Sequence, residues 1–132
     1  MVEKIREILD YAEQIARDYQ MGYIGVGAVL CSLAKLAPEV LDSGPKKVET
    51  SNIQELVLDF YTVPFPIKEN MRFVVDVRNS LEFINKNNLP RNAEGLAYGL
   101  LIESDLFIKL LDSCGVYVGG MERKLEFKLG IS

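Results

Sequence analysis

Histidine is absent from this 132-residue sequence, cysteine occurs only twice, and no CxxC pair is present. Without histidine there is no Ser-His-Asp or Cys-His catalysis, no His-ligated metal, and the commonest general base is missing. Two lone cysteines do not supply the ligand set of a structural zinc site. Cys31 and Cys114 fall on stretches that read as buried helix faces, so reduced core thiols are expected. Basic runs are no longer than Lys46-Lys47, and the formal net charge of −4 gives no electrostatic reason to bind nucleic acid or an anionic membrane. Apolar runs stop well short of the ~20 residues that a membrane span needs, and the charged N-terminus lacks the apolar stretch of a signal peptide. No G-x-x-x-x-G-K-[ST] occurs, so neither a phosphate-cradling loop nor ATPase activity is expected of this polypeptide. The expectation is a cytosolic protein, or a mature domain without its targeting segment.

What is present suits one folded unit. Apolar residues make up 48% of the chain and charged residues 26%, enough to bury a single core at about the modal domain size. The organising feature is a repetition. Ala93 to Gly115 (AEGLAYGLLIESDLFIKLLDSCG) follows the plan of Val26 to Gly44 (VGAVLCSLAKLAPEVLDSG). Each runs from a small residue through an apolar helix, a short polar break and a second apolar helix to Leu-Asp-Ser and a closing glycine. Leu41-Asp42-Ser43-Gly44 echoes Leu111-Asp112-Ser113-Cys114-Gly115, with one extra residue in the second copy.

In chain order, Ile5, Ile8, Leu9, Ala12, Ile15, Ala16 and Tyr19 form the stripe of an amphipathic helix over Val2 to Tyr19. Gly22 and Gly25 break it, and Tyr23 and Ile24, apolar in the turn, are expected against the core. A second helix is predicted over Val26 to Leu36 and a short third over Pro38 to Asp42, where proline suits a first turn. A fourth runs from Asn52 to about Tyr61 behind a Thr50 or Ser51 cap. Thr62 to Ile67 (TVPFPI) reads as a stiff extended connector, because each proline biases its predecessor away from helix. The second copy opens with a helix over Glu69 to Asn87 carrying Phe73, Val77, Leu81 and Ile84. A shift of 68 places Ile5 on Phe73, Leu9 on Val77, Ala16 on Ile84 and Met21 on Leu89. Asn92 caps a helix over Glu94 to Ile102 with Leu96, Leu100 and Leu101 inward; Ser104 caps one over Asp105 to Ser113 with Leu106, Leu110 and Leu111 inward and Gly115 closing it. The last element, about Gly120 to Leu129, reads as helix, with Val116-Tyr117-Val118 and Leu125-Glu126-Phe127 as alternative short strands. The result is an all-α chain of two tandem four-helix repeats about a pseudo-twofold axis. Repeat one covers about 1–61, the connector about 62–68 and repeat two about 69–132, within one unit over 1–132.

These residues resemble the N-terminal repeat domain of Clp-type AAA+ protein-unfolding ATPases. Tyr23-Ile24-Gly25 matches that family's turn in the first copy. Ala93-Glu94-Gly95-Leu96-Ala97-Tyr98-Gly99-Leu100, followed by Gly115-Val116, matches the second. Phe65-Pro66 ahead of Arg72-Phe73-Val74 looks like the family's proline-containing connector. The resemblance spans nearly the whole chain and implies a double four-helix repeat that uses no cofactor and binds proteins. Those partners are adaptors or client proteins or, for a stand-alone accessory relative, the Clp ATPase or protease core, in the cytoplasm or an organelle stroma. The family's Thr-Glu-His at the start of the second helix reads Val26-Gly27-Ala28 and Ala93-Glu94-Gly95 here. Glu94 alone therefore remains of the two acids with which some members hold phosphorylated arginine on clients.

Glu94, Glu103 and Asp105 are the carboxylates an acid/base mechanism would draw on, but nothing in the sequence fixes them at a common cleft. Their places near helix starts or a helix break explain them as charges favoured by the helix dipole. Neither a catalytic residue nor a metal ligand is expected. The expected partner-binding surface groups Tyr23, Arg91, Asn92 and Glu94, where the copies depart most from a pure core pattern, with Tyr61 and Phe65 of the connector region. The competing reading is an all-α peptide- or protein-binding module unrelated to proteolysis, holding its ligand in a groove between the copies.

Overall fold

The structure, a computed structural model, describes residues 4–42, 53, 55, 57 and 72–131. Among them the chain forms α1 (Lys4–Asp18), α2 (Val26–Leu36), a 3-10 helix (Pro38–Leu41), α3 (Val75–Lys86), α4 (Ala93–Glu103), α5 (Asp105–Ser113) and α6 (Val118–Leu129). No strand occurs among the described residues beyond one isolated parallel bridge, Ile24 to Phe73. The connector and most of the expected fourth helix lie outside the described residues. Ile53, Glu55 and Val57 of that helix are helical, with Ile53 and Val57 fully buried.

α2 and α4 form the centre. Residues 26–34 of α2 are all buried, as are Ala93 and residues 95–101 of α4, and a helix apolar all round has to be enclosed by its neighbours. α1 lies against α2 and α3 against α4, each through one apolar stripe, while α5 and α6 close over the central pair.

The repetition is visible in the hydrogen bonds. α1 ends with Gln20 at φ 52° and α3 with Asn88 at φ 52°. Met21 N–H then reaches back to Ala16 O at 2.9 Å, and Leu89 N–H to Ile84 O at 3.0 Å. This is the left-handed termination that satisfies a helix's last carbonyls, and both copies obey the same offset of 68. Beyond the turn the offset becomes 67. Gly25 and Asn92 are the N-caps, α2 and α4 both span 11 residues, and Ala37 and Ser104 both donate backwards, to Leu33 O and Leu100 O.

Small residues bring the helices close. Ser32 Oγ on α2 donates to Ile8 O on α1 at 2.6 Å, and in the second copy Ser80 Oγ donates to Asp76 O at 2.7 Å. Ile8 and Asp76 are equivalent at the offset of 68, so both hydroxyls serve the same carbonyl, one from the facing helix and one from its own. Opposite Ser80 stands Gly99, where a Cβ would lie 3.0 Å from Ser80 O.

Three expectations change. α3 begins at Val75, not Glu69, because Ile24 N–H donates to Arg72 O (3.0 Å) and Val74 N–H to Ile24 O (3.1 Å), which holds 72–74 extended against the first copy's turn. Phe73 therefore belongs to a bridge and not to the helical stripe. Leu106 is 45% exposed and Phe107 is fully buried in its stead. α5 starts behind the Ser104 cap as expected, and its packing against α2 and α4 turns Phe107, Leu110 and Leu111 inward; burying a phenylalanine stabilises by about 2–3 kcal/mol. Leu41 of the echo ends a four-residue 3-10 helix, whereas Leu111 to Ser113 close a nine-residue α-helix. The last element is helix as expected and not the alternative strands: Val118 and Leu125 to Phe127 lie inside α6, closed by Gly130 at φ 72°.

Candidate protein-docking surface

Arg91, Asn92 and Glu94 come together at the start of α4. Asn92, with extended backbone, accepts the Gly95 N–H on its side-chain oxygen at 2.9 Å, which satisfies one of the donors that a helix start leaves open. Glu94 occupies the first turn, half-buried, where the helix dipole favours a carboxylate. Exposed Arg91 donates Nη1–H to Asn85 Oδ1 on α3 at 2.8 Å, so this turn is tied to the end of the preceding helix.

Tyr23 occupies the corresponding turn of the first copy. It was expected against the core with Ile24, but only Ile24 is buried; Tyr23 is 47% exposed. The segment is extended at the bridge to Phe73, where successive side chains point to opposite sides. Tyr61 and Phe65 lie outside the described residues.

Sequence reasoning missed a depression on the outer side of α3, lined by Asn79, Glu82, Phe83, Asn85, Lys86, Asn87 and, from the end of α4, Glu103. Asn85 is shared with the Arg91 contact. Six of these seven are polar and read as an ordinary solvated helix face; only Phe83, half-buried within that polar run, marks it. Phe83 meets Tyr98 with ring centroids 6.2 Å apart, and Tyr98 donates its hydroxyl hydrogen to Glu126 Oε2 at 3.2 Å. Burial, with this bond second, pushes the Tyr98 phenol above its ordinary range.

Among the described residues no group of three or more His, Cys, Asp or Glu stands together, and no helix is long and apolar enough to cross a membrane. Glu103 and Asp105 flank Ser104, whose hydroxyl donates to Asp76 Oδ2 at 2.7 Å and accepts the Phe107 N–H at 3.1 Å.

No family model matches the sequence, and no curated protein matches it. Solved structures do. The N-terminal domain of the caseinolytic protease associated chaperone ClpD from Arabidopsis thaliana superposes with a TM-score of 0.70 over 98% of this chain and 94% of that one, at 12% identity. The fold is that of the Clp N-terminal domain. A second chain, from a study of a malarial protein secretion system, superposes with a TM-score of 0.69 over 97% of this chain and 93% of its own, at 19% identity. In the Clp N-domain frame, Tyr23 and the Arg91 to Glu94 group sit at the two repeated turns that lead into the central helices.

Proposed function

We propose that this chain is a non-catalytic protein-interaction module of Clp-type unfolding and degradation, docking adaptors or substrates or acting as an accessory subunit. The observation that carries this reading is the Clp N-domain fold over 98% of the chain, the counterpart domain belonging to a protease-associated chaperone. The exposure of Tyr23 and Arg91 at the two turns that lead into the central helices supports it. We take 1–132 as one such unit, with repeat one about 1–61, the connector about 62–68 and repeat two about 69–132, working in the cytoplasm or an organelle stroma. Tyr23, Arg91, Asn92 and Glu94, with Tyr61 and Phe65, form its binding surface.

The test is affinity capture with the tagged full chain from its host's lysate, read by mass spectrometry at low and physiological salt. Recovery of a Clp ATPase or protease core supports the accessory role, and recovery of adaptors or many clients supports docking. A complete absence of Clp components at both salts overturns the link to proteolysis and leaves a peptide-binding helical module. Arg91→Glu combined with Glu94→Lys should weaken capture at least fivefold while the melting temperature falls by only a few degrees, because Arg91 is exposed and the loss at half-buried Glu94 is a helix-dipole contribution of about 0.3–1 kcal/mol.

A further inference from the structure

α6 buries Met121 and Leu125 and turns Arg123 and Phe127, one helical turn apart, directly away from them. Lys124 and Lys128 run alongside, both exposed. Glu122 and Glu126 hold the opposite flank, half-buried, with Glu126 engaged by Tyr98. Phe127 is 87% exposed and Tyr117, the N-cap of α6, 62% exposed. They are the two most exposed large apolar side chains among the described residues, and both lie on this side.

Arg123 is fixed in place. Its Nε–H donates to Gly119 O at 3.2 Å and an Nη2–H to the Tyr117 hydroxyl at 3.2 Å. The guanidinium carbon stands 6.0 Å from the Tyr117 ring centroid, and the ring in turn lies over Gly119, where a Cβ would come within 3.3 Å of the hydroxyl oxygen. Two of the five guanidinium hydrogens are used and three remain. An arginine held this way has already lost the rotamer freedom that binding would take from it, and its fork matches a carboxylate in two-point contact.

We propose that this face of α6 docks an acidic segment of a partner protein: a carboxylate takes the Arg123 fork, an apolar side chain lies on Phe127, and further acids meet Lys124 and Lys128. Charge complementarity identifies the occupant. The exposed charged side chains of α6 are all basic, its two glutamates being half-buried, in a chain of net charge −4. A nucleic acid or an anionic bilayer presents negative charge to the whole molecule, which repels it, and three cations fall below the four to eight of a typical lipid-binding cluster. A short acidic segment engages the basic face alone. A bare phenylalanine beside it supplies the apolar anchor around which such contacts concentrate binding energy. This surface shares no residue with the turn at Arg91 to Glu94.

The experiment is to pan the full chain against a displayed library of random peptides and to measure the affinity of an enriched peptide by fluorescence anisotropy. Enriched sequences rich in Asp and Glu around one or two apolar residues are expected. Their binding should weaken at least tenfold in Arg123→Glu and in Phe127→Ser, less in Arg123→Lys, and remain unchanged in the Arg91→Glu, Glu94→Lys double variant. Circular dichroism should show full helicity throughout, since both substituted side chains are exposed. Enrichment without acidic bias, or binding indifferent to Arg123→Glu, overturns the proposal. So does flotation with phosphatidylserine vesicles, or retention on a single-stranded oligonucleotide, that Arg123→Glu abolishes, because the face would then serve a lipid or a nucleic acid.

Discussion

The hairpins α1–α2 and α3–α4 are built to one plan and differ by a single residue in the turn. In the first, Met21 to Ile24 separate the left-handed Gln20 from the cap Gly25; in the second, only Leu89 to Arg91 separate Asn88 from the cap Asn92. The shorter turn draws the Pro90 carbonyl down over the first turn of α4, where a Cβ on Gly95 would overlap the Pro90 oxygen. The equivalent residue under the longer turn is Ala28, which carries its methyl group fully buried. Turn length and the glycine are thus one adaptation, and Gly95 at this position has a steric cause.

The sharpest way to break this comparison is Gly95→Ala. The methyl group meets backbone, which has little freedom to move away, so a loss of ~3 kcal/mol is expected, read as a lowered urea midpoint. Inserting one glycine after Pro90 in the same chain restores the longer turn and should recover most of that loss. An insertion that deepens the loss would show that the two features are unrelated.

A second contrast lies where α4 hands over to α5. Ile8 and Ala37 of the first copy, both buried and apolar, correspond to Asp76 and Ser104, joined by a 2.7 Å hydrogen bond. Ser104 also caps α5, whereas no side-chain cap precedes the 3-10 helix that follows Ala37. Ser104→Ala should therefore cost about 2 kcal/mol, combining a lost cap with a carboxylate left without its donor. Adding Asp76→Ile converts the pair to the first copy's chemistry. The double variant should be less destabilised than the sum of the singles by ~1 kcal/mol, which a double-mutant cycle measures.

The serines that serve equivalent carbonyls give a smaller difference. Ser32 bonds across helices and is fully buried, so Ser32→Ala should cost about 1 kcal/mol. Ser80 bonds back within its own helix, a contact that adds little to helix stability, so Ser80→Ala should stay within ~0.5 kcal/mol. Thermal melts of the two variants side by side decide it.

Much of this was legible in the sequence because local chemistry and fold agree. Helix periodicity, the Asn92 and Ser104 caps and the Gly115 stop depend on a few neighbouring residues, and the repeat offset of 68 needs only counting. What failed depended on distant contacts. Nothing near Phe73 says that Ile24 will hold it extended, and whether Leu106 or Phe107 of α5 turns inward is decided by the packing of that helix against α2 and α4. Tyr23 and Ile24 are equally apolar, and only the bridge decides which of them turns inward. Of the candidate surface, the cap role of Asn92 was readable, while the Arg91 to Asn85 bond and the depression beside it required α3 and the α4 turn to be placed together.

The last contrast concerns ionisation at one equivalent position, Cys31 in α2 and Tyr98 in α4. Burial pushes the Cys31 thiol from 9.0 up to about 12, with Cys114 adding to it; Tyr98 shifts in the same direction from 10.0. Below about pH 9 the thiol is neutral in both the folded and the unfolded chain, and its burial stabilises in full. As pH rises from about 9 toward 12 the unfolded chain loses the proton that the folded chain keeps, so stability falls. Cys31→Ala should flatten the urea-midpoint profile between about pH 8.5 and 10, and Tyr98→Phe should act only above that range. At neutral pH the same burial leaves Cys31 the slower thiol toward iodoacetamide, with half-buried Cys114 alkylated first. Parallel decline of the wild-type and Cys31→Ala profiles, or equal alkylation of the two cysteines, would show that the α2 position does not hold its proton as this core requires.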